Sequence, residues 1–224
     1  MDYTTPHPLE SLSFAEMKAF QKNLRNQIST QPYNKEPKIV AGVDLSYQKS
    51  KDEGLAVIVS FNYDTLEIID VTHIVSRVTM PYQPGYLAFR ELPVFINAWK
   101  KLKIEPDIVF FDGHGQIHPR RMGIATHASF FINKPTIGIG KSKFIGTFQE
   151  PENVVGSYNE VRDGDDLLGV IMKTKLNCKP VFISPGNGLT LEEAINFTRP
   201  FVTGKYRIPE VTRIADYYSK KLKE

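Results

Sequence analysis

The spacing of apolar residues changes several times along the first hundred positions. Behind a capping box formed by Ser13 and Glu16, apolar side chains recur every three to four residues, which predicts a helix from residue 14 to about Ile28. After the proline-bounded loop TMPYQPG, the segment YLAFRELPVFINAWKKLK has a helical periodicity that Pro93 interrupts. Between these two helices, three segments predict strands joined by short antiparallel turns: KIVAGVDLSY, LAVIVSFNY and LEIIDVTHIVSRV.

The second half of the chain alternates short buried strands with helices. Four apolar residues in IVFFD predict a strand that is buried on both faces and ends at Asp112. Residues 141 to 166 show no regular pattern apart from the turn DGDD. The pattern also predicts a helix over residues 122–132, the strands PTIGIG, LLGVIMKTK and KPVFISPG, a second capping box at Thr190 and Glu193, and a last helix opened by Pro209.

Antiparallel strands that lead into alternating strands and helices are typical of an α/β sandwich. We therefore expect three layers, with a mixed central sheet and helices on both of its faces. The chain has 224 residues and shows no repeat, low-complexity tract or linker, so we expect one domain over residues 1–224. In such sheets the chemistry gathers at the carboxyl ends of the strands.

Composition and charge restrict the class of protein only loosely. A formal charge of +3 permits an anionic partner without requiring one. The one cysteine, Cys178, excludes an internal disulfide and fits a reducing compartment. Residues 1–10 lack the features of a secretory signal and the apolar runs are too short to span a bilayer, so we expect a cytoplasmic protein with no membrane partner. No heptad pattern demands an oligomer, and we expect a monomer.

Two acidic residues lie at or beside the ends of apolar strands, Asp44 in VAGVDLS and Asp112 in IVFFDGHG. Neighbouring strands in matched register would bring these carboxylates together. Two carboxylates in a partly buried site repel one another and are tolerated when a cation lies between them. Hard oxygen ligands select Mg²⁺, with Mn²⁺ as the alternative. The competing interpretation is that Asp112 only caps the following loop or helix, and the residues alone leave both open.

Three other side chains have a functional and a plain interpretation. Glu91 lies in a largely apolar helix, where a glutamate is rarely buried without a partner; a surface ion pair is the alternative. Asp216 lies on the last helix, where a solvated helix face is the default interpretation. Tyr82 lies in a loop that prolines stiffen on both sides, which favours an exposed tip over a ring packed on the sheet.

Six motifs, in their order along the chain, resemble those of the endonuclease V family. The resemblance extends from about residue 14 to residue 221, and PYQPG together with DGHGQIHPR is its most specific part. It implies a metal-dependent nuclease on the ribonuclease H-like fold. The motifs are VAGVDLSY, MPYQPGYLAFRELP, IVFFDGHGQIHPRRMGIATH, TIGIGKSK, FISPG and RIPEVTRIADYY.

The resemblance implies a catalytic role for five residues. The metal-binding aspartates of the family match Asp44 and Asp112, its catalytic glutamate matches Glu91, and its active-site lysine matches Lys141. The acidic or histidine position on its last helix matches Asp216. Because some members carry histidine there, we expect the metal dependence of this protein to differ in detail.

The resemblance also implies a set of nucleic-acid contacts. The wedge loop of the family matches Pro81 and Tyr82 with the two residues that follow, and a rigid aromatic can fill the gap left by a base rotated out of its stack. Gly113 allows a close backbone approach to a flat base. His118 and Arg120 would contact the backbone or phosphates near that base; a loop-stabilising hydrogen bond and a solvated charge are the alternatives.

The activity implied by the resemblance is hydrolysis of the second phosphodiester bond on the 3′ side of inosine or another deaminated base, in DNA repair. It leaves a 3′-hydroxyl and a 5′-phosphate. Two Mg²⁺ ions about 4 Å apart can activate the water and neutralise the phosphoryl oxygens. The expected partner is DNA with deaminated bases. The alternatives are an inosine-specific endoribonuclease acting on RNA, another nuclease of this fold such as a junction resolvase, and a non-catalytic module that only binds lesions.

Overall fold

The computed structural model describes residues 9, 12–48, 52–78 and 80–223. Most of residues 1–10, whose sequence lacks a secretory signal pattern, therefore lies outside the described residues. Part of the predicted turn QKSKDEG lies outside them too. Within the described residues, one eight-stranded sheet is covered by five α-helices. In that part of the chain, no helix is long and apolar enough to cross a membrane.

The elements follow one another in the order that the hydrophobic pattern predicts, with one additional strand. The strands are β1 (Ile39–Gln48), β2 (Glu53–Asn62), β3 (Ile68–Arg77), β4 (Ile108–Asp112), β5 (Thr136–Gly140), β6 (Tyr158–Asp163), β7 (Asp166–Met172) and β8 (Val181–Pro185). The helices are α1 (Phe14–Arg25), α2 (Leu87–Trp99), α3 (Ile124–Ile132), α4 (Leu191–Thr198), which a 3₁₀ turn extends over Arg199–Phe201, and α5 (Glu210–Lys221). Both predicted capping boxes are present, at the starts of α1 and α4.

The strands are arranged in the order β3-β2-β1-β4-β5-β8-β7-β6. The central strand β4 runs parallel to both of its neighbours, β1 and β5, whereas the other neighbouring pairs are antiparallel. Successive side chains of a strand point to opposite faces. In β1, Ala41 and Val43 join the core beneath α1, α2 and α3, and Val40 joins the core beneath α4 and α5. The predicted three layers with a mixed central sheet are confirmed.

Three details differ from the sequence prediction. Helix α1 ends at Arg25 rather than near Ile28. Helix α2 continues through Pro93, because its apolar side chains are buried against β2, β3 and α3, and this packing outweighs the lost backbone hydrogen bond. The segment predicted to be irregular contains β6, an edge strand whose pattern is weak because Val161 is its one fully buried residue.

Helix α5 crosses β1 in close contact at Gly42. A Cβ atom at residue 42 would lie 1.8 Å from the carbonyl oxygen of Val211, so residue 42 has no room for a side chain. Because Gly42 and Asp44 are two residues apart, both face α5. The small residue at 42 therefore sets the distance between the last helix and the strand that carries Asp44.

We expect Gly42→Ala to lower the free energy of unfolding by about 3 kcal/mol or more, since overpacking forces backbone to move. Moving α5 also separates Asp216 from Asp44, so Mn²⁺ binding should weaken. Urea unfolding and calorimetric Mn²⁺ titration measure the two effects. Gly164→Ala is the matched control, because a Cβ there meets nothing within 4 Å and adds only the cost of a positive φ. Equal losses in the two variants would contradict the role of Gly42.

Candidate active site

Three aspartates from distant parts of the chain converge on the α5 face of the sheet. Val43 of β1 pairs with Phe111 of the parallel strand β4, so Asp44 and Asp112 follow in matching positions. Helix α5 packs on β1 and β4 and adds Asp216. One carboxylate oxygen from each aspartate lies within 4.8 Å of the other two. The convergence that the sequence predicted for Asp44 and Asp112 is confirmed, and Asp216 joins them.

Glu91 approaches this cluster from the opposite layer. It lies on α2, which packs on the other face of the sheet, and it is not part of the three-aspartate group. Burial raises the pKa of Glu91 to about 8; the charge of Arg90 acts in the opposite sense, and the charges of Asp44 and Asp112 raise it further. Asp44 and Asp112 therefore act on Glu91 through their charges, although Glu91 lies outside the three-aspartate group.

Lys141 pairs with Asp112 through its ammonium group. It directly follows β5, the parallel neighbour of β4, so the topology brings the lysine to the same edge of the sheet. Burial alone would lower the pKa of Lys141, but the contact with Asp112 and the charges of Asp216 and Asp44 raise it above the ordinary value. The ammonium therefore stays positive beside the acidic cluster. Arg207 holds this segment by donating to the carbonyl oxygen of Lys141.

Two of the three aspartates, Asp44 and Asp112, have raised pKa values, chiefly because they are buried. Burial raises the pKa of Asp44, the Ser219 hydroxyl lowers it through a hydrogen bond, and the charge of Asp216 raises it. Burial likewise raises the pKa of Asp112, although Lys141 counteracts this effect. A divalent cation would remove the repulsion among these carboxylates, and their hard oxygen atoms are the donors that Mg²⁺ and Mn²⁺ prefer. The residues present fit such an ion.

A pocket of about 190 Å³ opens beside the acidic cluster. Gly113, which directly follows Asp112, belongs to its wall, so the pocket and the cluster share one loop. Tyr82 also lines the pocket, and its side chain is 61% exposed. The preceding residue, Pro81, is exposed as well. The other lining residues are Gly85, Leu87, Ala88, His114, His118, Met122, Gly123, Ile124, Ser142, Lys143 and Phe144.

His118 and Arg120 both contact Gly85, three residues after Tyr82. His118 lines the pocket, and its Nε2 lies 3.1 Å from the carbonyl oxygen of Gly85. Burial lowers the pKa of His118 to about 3, and the nearby charge of Arg120 acts in the same sense, so its ring is neutral. Arg120 donates to the same carbonyl oxygen at 2.7 Å. These contacts match a loop-stabilising hydrogen bond rather than a solvated charge, and contact of the two residues with nucleic acid stays a prediction.

Two residues of this site, Ser219 and His114, were not identified as functional candidates from the sequence. Ser219, which is buried on α5 and lowers the pKa of Asp44, lies three residues after Asp216. That spacing places both on one helix face and could have revealed it. His114 forms one wall of the pocket; its Nε2 lies 3.0 Å from the carbonyl oxygen of Ser142, and its ring stacks on Phe144 with the centroids 5.9 Å apart. No sequence spacing connects His114 with Phe144.

Comparison with known proteins identifies the family. The endonuclease V family model matches residues 22–217. The chain belongs to the endonuclease V family. The endonuclease V of Petrotoga mobilis is 52% identical over 224 residues and is covered completely by this chain, as this chain is by it. That of Thermosipho melanesiensis is 48% identical over 204 residues, covering 91% of this chain and 88% of the relative. This endonuclease V is therefore a nuclease, that is, a hydrolase.

Solved structures of the family share the architecture. The endonuclease V of Bacillus subtilis is 36% identical, with a TM-score of 0.91 over 97% of this chain and 94% of that one. The endonuclease V of Ciona intestinalis is 26% identical, with a TM-score of 0.81 over 93% and 95% of the two chains. That protein was crystallised with a 23mer DNA containing an inosine followed by a ribo-adenosine. The predicted ribonuclease H-like fold of this endonuclease V is confirmed.

Proposed function

We propose that this endonuclease V recognises a deaminated base, chiefly hypoxanthine, in DNA and hydrolyses a nearby phosphodiester bond with the help of Mg²⁺. The observation that carries the proposal is the three-aspartate cluster, with oxygen atoms within 4.8 Å, next to a pocket that shares its loop. The Ciona intestinalis relative, crystallised with inosine-containing DNA, supports hypoxanthine as the base. Mn²⁺ is the alternative ion, because it takes the same oxygen donors.

In this proposal each charged residue has a distinct task. Asp44, Asp112 and Asp216 would hold the metal, which supplies charge neutralisation at the phosphoryl oxygens and an acidic bound water. Glu91 has a pKa of about 8, in the range suited to proton transfer near neutral pH, and it orients or deprotonates the attacking water. Lys141 keeps its proton and stabilises the developing negative charge on the phosphate.

The pocket supplies the base recognition. Gly113 has a φ of +154° and a Cβ there would lie 2.7 Å from Ile124, so a side chain would narrow the space that a flat base needs. Backbone N–H and C=O groups in the wall distinguish hypoxanthine from adenine by their donor and acceptor pattern. Tyr82 fills the gap that the rotated base leaves in its strand, with Pro81 limiting the freedom of the loop.

The finer points of the proposal follow the family resemblance. The cut falls at the second phosphodiester bond on the 3′ side of the lesion and leaves a 3′-hydroxyl and a 5′-phosphate, in DNA repair. The protein acts as a single domain and as a monomer in the cytoplasm. Inosine-containing RNA is the alternative substrate.

The direct test is cleavage of labelled strands that differ at one position. A strand with one inosine should be cut with Mg²⁺ present, and the matched adenosine strand should remain intact. Sizing the fragments on a denaturing gel locates the cut, and an RNA strand of the same sequence decides between the two substrates. Equal cutting of the inosine and adenosine strands would refute the proposed recognition.

We expect Tyr82→Ala to weaken binding of the inosine strand by about 10- to 100-fold, which corresponds to the loss of one base–aromatic contact. Metal binding should stay as in the wild type, because Tyr82 lies in the pocket wall rather than in the aspartate cluster. Fluorescence anisotropy with Ca²⁺ in place of Mg²⁺ measures the DNA affinity. Tyr217→Ala provides the control, since Tyr217 is another exposed tyrosine, at 53%, on α5. Similar affinities for the two variants would exclude the wedge role.

A further inference from the structure

The carbonyl oxygen of Gly85, at the base of the wedge loop, accepts three hydrogen bonds from side chains. The donors are Nη2 of Arg120 at 2.7 Å, Nε2 of His118 at 3.1 Å and Nε2 of Gln21 at 3.2 Å. A carbonyl oxygen has two lone pairs, so three donors saturate it. Gly85 is thereby tied both to α1, which carries Gln21, and to the loop after β4.

The three donors also fix one another, and we call them the Gly85 clamp. Gln21 is completely buried, and its Oε1 accepts a hydrogen bond from Nε of Arg120 at 2.5 Å. Nδ1 of His118 accepts from the backbone N–H groups of Arg120 at 3.1 Å and of Met122 at 3.2 Å. The ring proton of the neutral His118 therefore resides on Nε2, which donates to Gly85. The clamp leaves little rotational freedom to any of its members.

The clamped residue is the centre of a tight turn that begins one residue after Tyr82. The backbone N–H of Tyr86 donates to the carbonyl oxygen of Gln83 at 3.0 Å, and Gly85 has a φ of +80°. With Pro84 before Gly85, these values define a type II turn, in which the third position requires a positive φ. A Cβ at residue 85 would also lie 2.9 Å from Nη2 of Arg120. The turn and the clamp both require glycine.

We propose that Gln21 is a positioning residue that acts through the Gly85 clamp to hold Tyr82 in the orientation that selects the deaminated base. This inference rests on the proposed function of the pocket. Gln21 does not belong to the pocket wall itself, so it can act on the base only through its hydrogen-bond partners. Its buried amide joins Arg120 to Gly85, so removing it loosens the wedge loop and leaves the aspartate cluster in place.

The test compares Gln21→Met, which keeps the length of the side chain and removes its hydrogen bonds, with Thr198→Val. Thr198 is a buried residue on α4 whose hydroxyl donates to the carbonyl oxygen of Ala194 at 2.6 Å, in the opposite layer. Steady-state cleavage should show KM for the inosine strand raised about tenfold in Gln21→Met, with the change in KM rather than in kcat. Thr198→Val should show no such change in KM, at a similar loss of thermal stability.

A double-mutant cycle with Tyr82→Ala separates positioning from general destabilisation. If Gln21 acts through the wedge, Gln21→Met should have no further effect on inosine selectivity once Tyr82 is alanine. An undiminished effect in the Tyr82→Ala background would overturn the proposal. So would a KM for Gln21→Met equal to that of Thr198→Val. Should Gln21→Met fail to fold, Gln21→Glu serves in the same comparisons, because it still accepts from Arg120 and cannot donate to Gly85.

Hydrogen exchange distinguishes failure of this inference from failure of the proposed function. The amide of Tyr86 closes the turn, and its exchange should become about tenfold faster in Gln21→Met than in Thr198→Val. Unchanged exchange overturns the clamp, whatever the substrate. A wild-type enzyme that cuts inosine and adenosine strands equally refutes the proposed function instead, and the exchange experiment then still decides whether Gln21 holds the loop.

Discussion

Asp44→Ala is expected to reduce cleavage of an inosine-containing strand by about 10³-fold or more. The variant lacks a carboxylate that would hold the cation, and this cation would stabilise the charge of the transition state. Asp44 is 7% exposed and shares the cluster with Asp112 and Asp216. Removing it leaves two carboxylates beside Lys141, and the remaining site holds a divalent ion weakly. Single-turnover cleavage with Mg²⁺, together with calorimetric Mn²⁺ titration, measures both effects.

The control for this variant is Asp165→Ala. Asp165 is exposed in the turn between β6 and β7, away from the cluster, so its loss should change neither cleavage nor Mn²⁺ binding. If Asp44→Ala cut as fast as Asp165→Ala, the acidic cluster would have no part in the reaction. A variant that lost cleavage but bound Mn²⁺ like the wild type would assign Asp44 a role other than metal binding.

Glu91→Gln is expected to stabilise the metal-free protein at pH 8 to 9 while lowering cleavage by about 10²- to 10³-fold. Burial raises the pKa of Glu91 from 4.5 to about 8. Between these values the folded protein keeps a proton that the unfolded chain has already released, so this group makes folding less favourable as the pH rises. The penalty is complete above the folded pKa and amounts to about 5 kcal/mol at most.

Glutamine at position 91 carries no charge and avoids this penalty. The difference in unfolding free energy between Glu91→Gln and the wild type should thus be small at pH 4.5, increase up to about pH 8 and remain constant above it. Urea unfolding in the presence of a chelator at a series of pH values measures the difference. Glu150→Gln, in an exposed loop, should show no comparable increase. A Glu91→Gln protein less stable than the wild type at pH 9 would contradict the buried, destabilising carboxylate.

The sequence predicted the fold well where hydrophobic periodicity is strong. The strand ending at Asp112 is buried on both faces, and its apolar run admits little other interpretation. The pattern failed at β6, an edge strand in which Val161 alone is buried, and at Pro93, where the packing of α2 outweighs the local preference of proline. At Pro93 the deciding factor is burial by distant segments, which a local pattern does not show, whereas at β6 there is too little burial to leave a hydrophobic pattern.

The site was predictable to the extent that one strand pair determines it. The parallel pairing of β1 and β4 brings Asp44 next to Asp112, and alternation along each strand fixes the face. The contributions of Glu91 and Asp216 depend on how α2 and α5 cross the sheet, which their spacing does not encode; the family resemblance suggested them. The hydrogen bonds of His118 and Arg120 to Gly85 were not visible in the sequence, and their contact with nucleic acid stays a prediction.

The packing of α5 on β1 has a consequence for the protein during its synthesis. Ser46 and Ser219, whose hydroxyls lie 3.0 Å apart, are separated by 173 positions, and Asp216 comes from the same late helix. When the strands of the sheet have left the ribosome but α5 has not, the nascent chain contains Asp44 and Asp112 without Asp216. Domains assemble from the N-terminus as they emerge from the ribosome. The third carboxylate therefore joins the other two only after α5 has emerged and packed on β1.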